Sequence, residues 1–141
     1  MNKKVLFLCT GNSCRSQMAE GFAKKLWKDK FEIFSAGIEK HGVNKIAIEV
    51  MGELGIDLSV HSSKLVDEIP VKKFDYIVTV CDAAHETCPY FHASKIIHHS
   101  FEDPPQKALG IEDKQEVLEI YRKVRDQIKE FVQNLDKNLE S

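Results

Sequence analysis

The sequence holds no apolar stretch long enough to cross a membrane or to form the core of a signal peptide. Lys3 and Lys4 precede an apolar run that ends at Thr10, far short of the roughly 20 residues a spanning helix needs. An excess of one charge is also missing: 20 Lys and Arg stand against 22 Asp and Glu, a net charge of −2. That balance excludes broad attraction to nucleic acid or an anionic membrane, so any bound anion must be held by a local set of donors. Internal repeats, low-complexity tracts and linker-like shifts in composition are absent as well. A single domain over residues 1–141 is therefore expected, because domains commonly run to about 100–200 residues. Cysteine is scarce, with 4 in the chain, and in the cytoplasm, the expected location, thiols stay reduced. The pairs Cys9/Cys14 and Cys81/Cys88 are too widely spaced for the close pairs typical of zinc sites. The histidines at 85, 92, 98 and 99 show no ligand spacing and read as solvated, so no metal and no cofactor are expected.

What is present alternates between two periodicities. Val5 to Cys9 is a short continuous apolar run, the pattern of a strand buried on both faces. From about Ser16 to Trp27 the pattern is helical, with Met18, Phe22 and Leu26 placed on one face. Phe31 to Ala36 reads as a strand ended by Gly37. Asn44 is positioned to cap a helix carrying Ile46, Val50, Met51 and Leu54, terminated by Gly55. Phe74 to Val80 is another buried strand, and Ile96-Ile97 marks a shorter one before a turn at Asp103-Pro104-Pro105. Val117, Tyr121, Val124, Ile128, Phe131 and Leu135 then trace one long amphipathic helix, with Glu119–Lys123 as a favourable surface pair. Strands alternating with helices predict a parallel sheet covered on both faces, a doubly wound α/β sandwich.

Cys9-Thr10-Gly11-Asn12-Ser13-Cys14-Arg15-Ser16 joins the first strand directly to the first helix. Gly11 and Asn12 are the residue types that best tolerate left-handed backbone angles, so the loop can turn several N–H groups inward. The helix start adds its unpaired N–H groups and positive dipole end. Together these form an oxyanion cradle over residues 10–16, with the Arg15 fork available for two oxygens. Cys9 lies at its mouth, where the same donors are expected to lower its pKa below the free value of about 8.5 and make it a nucleophile. Ser16 is a candidate donor to the Cys9 sulfur, Asn12 a candidate brace for the loop, and Cys14 a spectator.

The Cys-x5-Arg-Ser loop and the late Asp103-Pro104 pair resemble the low-molecular-weight protein tyrosine phosphatases. The longer run from Cys9 to Glu20, with Ser35-Ala36-Gly37-Ile38, is similar to the thioredoxin-coupled arsenate reductases built on that fold. The resemblance covers nearly the whole chain. It implies a three-layer αβα sandwich with a four-stranded parallel sheet of order 2-1-3-4. It further implies Cys9 as nucleophile, Arg15 as oxyanion ligand, Asp103 as general acid, arsenate as substrate and thioredoxin as reductant. A monomer is expected. Some related reductases bind potassium through Asn, Glu, Ser and a further carboxylate. Here Asn12, Glu20 and Ser35 match, but Lys64 stands at the carboxylate position, so potassium is not expected.

Cys81 and Cys88 separate reductase from phosphatase, which leaves them without a task. In the 2-1-3-4 order the strands ending at Cys9 and near Cys81 are neighbours, and ligand chemistry gathers at such carboxyl ends. Residues 82–87 suit a short helix stopped by Pro89. Its seven steps of about 1.5 Å separate Cys81 from Cys88 by roughly 10 Å, beyond the ~7 Å between Cα atoms that a disulfide tolerates. Oxidation is therefore expected to unwind that segment. The expected relay runs from Cys9 to Cys81 to Cys88. The alternatives are a tyrosine phosphatase and a non-catalytic oxyanion or thiol sensor, which would need no acid at Asp103.

Overall fold

Val5, Leu6, Phe7 and Leu8 have no exposed surface, which requires protein on both faces of the strand that carries them. A computed structural model, describing residues 2–71, 73–81 and 92–140, supplies that cover. Strands β1 (Lys3–Cys9), β2 (Phe31–Gly37), β3 (Lys73–Thr79) and β4 (His92–His98) form a parallel sheet in the order β2-β1-β3-β4. This is the 2-1-3-4 arrangement of the resemblance. Cys9 pairs with Gly37, Leu8 with Thr79, and Thr79 with His98, so all four carboxyl ends meet at one edge of the sandwich. The chain leaves β1 toward β2 on one side and returns to β3 on the other, which makes this edge a switch point.

Helix α1 (Arg15–Trp27) packs on β1 and β2, while α2 (Lys45–Gly52) and the long α4 (Lys114–Gln133) pack on each other. Asn44 caps α2 by accepting from the Ile46 and Ala47 N–H groups, as its residue type favours. Val124, Ile128, Val132 and Leu135 are fully buried in the core beside Met18, Phe22 and the β1 side chains.

Local expectations fail at four places. Leu26 is 45% exposed although Met18 and Phe22 on its helical face are buried, because α1 outruns the core at its last turn. The terminal helix breaks at Asn134, and α5 (Leu135–Glu140) continues beyond it. Glu119 pairs with Arg122 at i+3 rather than with Lys123 at i+4. Asp103-Pro104-Pro105 opens a short helix, α3 (Pro104–Lys107), rather than a simple turn; proline is tolerated at a helix start, where its missing N–H costs nothing. The predicted helix over 82–87 and Cys88 itself lie outside the described residues, as does the side chain of His92.

Candidate active site

The loop of residues 9–16 is shaped from behind. Asn12 adopts φ 48°, the left-handed region in which Asn is one of the few tolerated side chains. Its buried amide donates to Ser16 Oγ at 2.9 Å and Ser35 Oγ at 3.0 Å, while Asn12 Oδ1 accepts from the Lys64 N–H at 2.7 Å. Gln17 Nε2 donates to Asn12 Oδ1 and to the Asn12 and Ser62 carbonyls, each at 3.1 Å. Ser35 also donates to the buried Glu20 carboxylate, whose other oxygen meets the Lys24 ammonium at 2.5 Å. Lys64 turns its ammonium to the Ser62 carbonyl instead. The Ser16 hydroxyl, a candidate donor to the Cys9 sulfur, accepts from Asn12 within this brace. Gly37 lets the brace close: a Cβ there would lie 2.7 Å from the Asn12 N and 2.8 Å from the Thr10 O.

On its front the loop bounds a cavity of about 230 Å³ lined by Cys9, Thr10, Gly11, Ser13, Cys14, Arg15, His41, Asp103 and Pro105. Arg15 opens α1 and is only 11% exposed. Its Nη1 donates to the Phe101 carbonyl at 2.9 Å, and Nη2 stands 3.8 Å from the Asp103 carboxylate. Among the described residues, Arg15 Nε is a buried side-chain nitrogen left without a hydrogen-bond partner. The Nε/Nη2 edge of the fork is therefore the one available to an oxyanion.

Cys81 lies just past β3. Its sulfur faces the Cys9 thiol, which keeps its proton and donates toward it, and it shares a hydrogen with the Thr10 hydroxyl at 3.2 Å. This contact reverses one expectation. The Cys9 thiol is held well above its ordinary range, chiefly by the hydrogen bond with Cys81 and then by burial, against the opposing pull of Arg15 and the Thr10 backbone. Burial likewise pushes the Cys14 thiol up to about 12, which leaves it protonated and unreactive.

A cysteine on a strand end, a braced anion loop, an arginine fork and an aspartate facing it agree with what sequence comparison finds. The family model for low molecular weight phosphotyrosine protein phosphatase matches residues 4–141. The chain belongs to that family. Within the low-molecular-weight phosphatase family it is similar to proteins named for a different activity. An arsenate reductase of Halalkalibacterium halodurans is 48% identical over 130 residues, covering 91% of each chain. A solved arsenate reductase in a phosphate-binding state superposes with a TM-score of 0.81 at 36% identity, covering 98% of this chain and 99% of the other. Another, in an oxidised state, gives 0.77 at 36% identity with the same coverage.

Sequence reasoning missed three participants that this family fold brings in. His41 and the Phe101 carbonyl reach the site from the loops after β2 and β4. His61 supports Gln17, its Nδ1 lying 2.9 Å from Gln17 Oε1. Gln17 was legible only as part of the matching run, and no periodicity marks the others.

Proposed function

We propose that this protein reduces arsenate to arsenite, with two electrons supplied by its own thiols. The observation that carries the reading is the juxtaposition of Cys9 and Cys81 at the carboxyl ends of adjacent strands, with the Cys81 sulfur 3.2 Å from the hydroxyl of Thr10, the residue next to Cys9. A phosphatase needs no second thiol there.

Arsenate enters the cavity against the loop N–H groups and the Nε/Nη2 edge of Arg15. A dianionic oxyanion is itself a base, so it can take the proton that the Cys9 thiol retains in the buried pair. The Cys9 thiolate displaces one arsenic-bound oxygen, which departs as water with a proton from Asp103, leaving a sulfur–arsenic bond. Cys81 then attacks the Cys9 sulfur as a thiolate. The sulfur–arsenic bond breaks with its electron pair remaining on arsenic, which leaves as arsenite, and the two thiols become a disulfide. Cys88 attacks Cys81 and frees Cys9. A thioredoxin, at about −270 mV, reduces the Cys81–Cys88 bridge. The setting consistent with this chemistry is the reducing cytoplasm, with residues 1–141 acting as one monomeric domain. Among the described residues no helix is long and apolar enough to cross a membrane.

The test is arsenite production with reduced thioredoxin in wild type, Cys9→Ser, Cys81→Ser and Cys88→Ser. Cys9→Ser should be inert. Cys81→Ser should lose arsenite release yet keep slow hydrolysis of an aryl phosphate, since Cys9, Arg15 and Asp103 remain. Cys88→Ser should stop after one turnover with Cys9 and Cys81 linked by mass. Full-speed cycling of Cys88→Ser on thioredoxin would refute the relay.

A further inference from the structure

His41 belongs to the cavity without any role in the relay. The loop after β2 is strapped to the outside of the anion loop: Ile38 N and Glu39 N donate to the Thr10 carbonyl at 3.0 and 2.9 Å, and His41 N donates to the Gly11 carbonyl at 3.1 Å. The imidazole folds back over Gly11 so closely that a Cβ at residue 11 would lie 2.3 Å from His41 Nδ1. Its far nitrogen, Nε2, is 2.7 Å from Glu39 Oε2. The ring is thus anchored at both ends, by its own backbone and by a carboxylate, although its side chain is 53% exposed. It stands on the same cavity as Cys9, Arg15 and Asp103.

We infer that His41 is a specificity-determining residue that walls the outer rim of the site and favours a bare tetrahedral oxyanion over its organic esters. The inference rests on the anion site proposed above and names what that site disfavours. The cavity, at about 230 Å³, is smaller than the roughly 300–1,000 Å³ of pockets that enclose drug-sized ligands. An ester of the oxyanion must carry its organic group out past the rim, and the space above Gly11 is taken by a ring that cannot swing aside without losing Glu39. Inorganic arsenate or phosphate carries no such group. Rejection by an occupied volume is a repulsive device, the form of selectivity that shows as a difference between two affinities.

The test is calorimetric titration of intact reduced protein with inorganic phosphate and with phenylphosphonate, which is not hydrolysed. Wild type, His41→Ala and His41→Gln are compared; the Gln amide retains bulk and can still donate to Glu39. His41→Ala should shift the ratio of the two dissociation constants toward phenylphosphonate by about tenfold or more, the scale on which pocket shape discriminates. His41→Gln should return most of that shift. A smaller change in the Ala variant, or a Gln variant that behaves like Ala, overturns the inference. Because binding rather than turnover is read, failure here is distinct from failure of arsenate reduction, which would appear as absent arsenite in the wild type.

Discussion

Asn12 concentrates the demands of the site in one side chain. It holds a left-handed backbone angle, donates to two hydroxyls and accepts from the Lys64 amide and Gln17. Replacing it with alanine leaves those buried partners unsatisfied, at about 1–3 kcal/mol, and adds roughly 1–2 kcal/mol for a Cβ without local hydrogen bonds in the left-handed region. Asn12→Ala should therefore lose about 2–5 kcal/mol of unfolding free energy in urea denaturation, with weaker phosphate binding. A loss under ~1 kcal/mol would mean that the brace is not a unit. At this scale the sequence is informative about residue types and blind to partners. Cys9 and Arg15 stand out from local order, whereas Asp103 was picked out only through the family resemblance. The direction of the Cys9 pKa was not legible, because its sign depends on Cys81, which arrives through strand pairing from the far side of the chain. Thr10 and the same thiol meet across 71 positions.

Elements were legible wherever burial sets the periodicity, and misread where it stops. Asn44 and the β1 run announced themselves; Leu26 and the break at Asn134 did not, since a helical pattern carries no information about where the core ends. The junction between α2 and α4 shows a further feature invisible to pattern. Arg122 grips Glu53 through Nη2 at 2.6 Å, and Arg125 Nη1 donates to Glu53 Oε1 at 2.8 Å and to the Val50 carbonyl at 2.9 Å. Chiefly through Arg122, the Glu53 carboxyl is lowered from 4.5 to about 2. A depressed carboxylate contributes stability that is present above its unfolded pKa and lost as pH falls through the folded one. The clamp should thus weaken between about pH 4.5 and 2. Since 34% of the Glu53 side chain faces solvent, the effect is screened and should shrink further in salt. Thermal melts of wild type and Glu53→Gln should differ at pH 7 and converge toward pH 2.5. A gap that stays constant across that range would show that Glu53 acts by packing and not by charge.

For the whole molecule, the cavity proposed to take the anion lies where the sheet's carboxyl ends converge. Cys9 ends β1, Gly37 closes against the loop from β2, Cys81 follows β3, and Phe101 and Asp103 follow β4. An anion held there would meet groups that follow β1, β2 and β4 and do not converge in the unfolded chain, so its binding energy would add to folding free energy. At about 100 times its dissociation constant, phosphate should contribute ~2.7 kcal/mol, a rise in Tm of about 8–10 °C for a chain of this size. With a net charge of −2 there is no long-range field to gather anions, so the effect must come from the local donors. Chloride at equal ionic strength should therefore leave Tm within about a degree of its starting value, and Arg15→Gln should remove most of the phosphate shift by taking away the charged fork. Equal stabilisation by both salts would mean general screening at the surface, and the convergence of strand ends would then have no part in holding the anion.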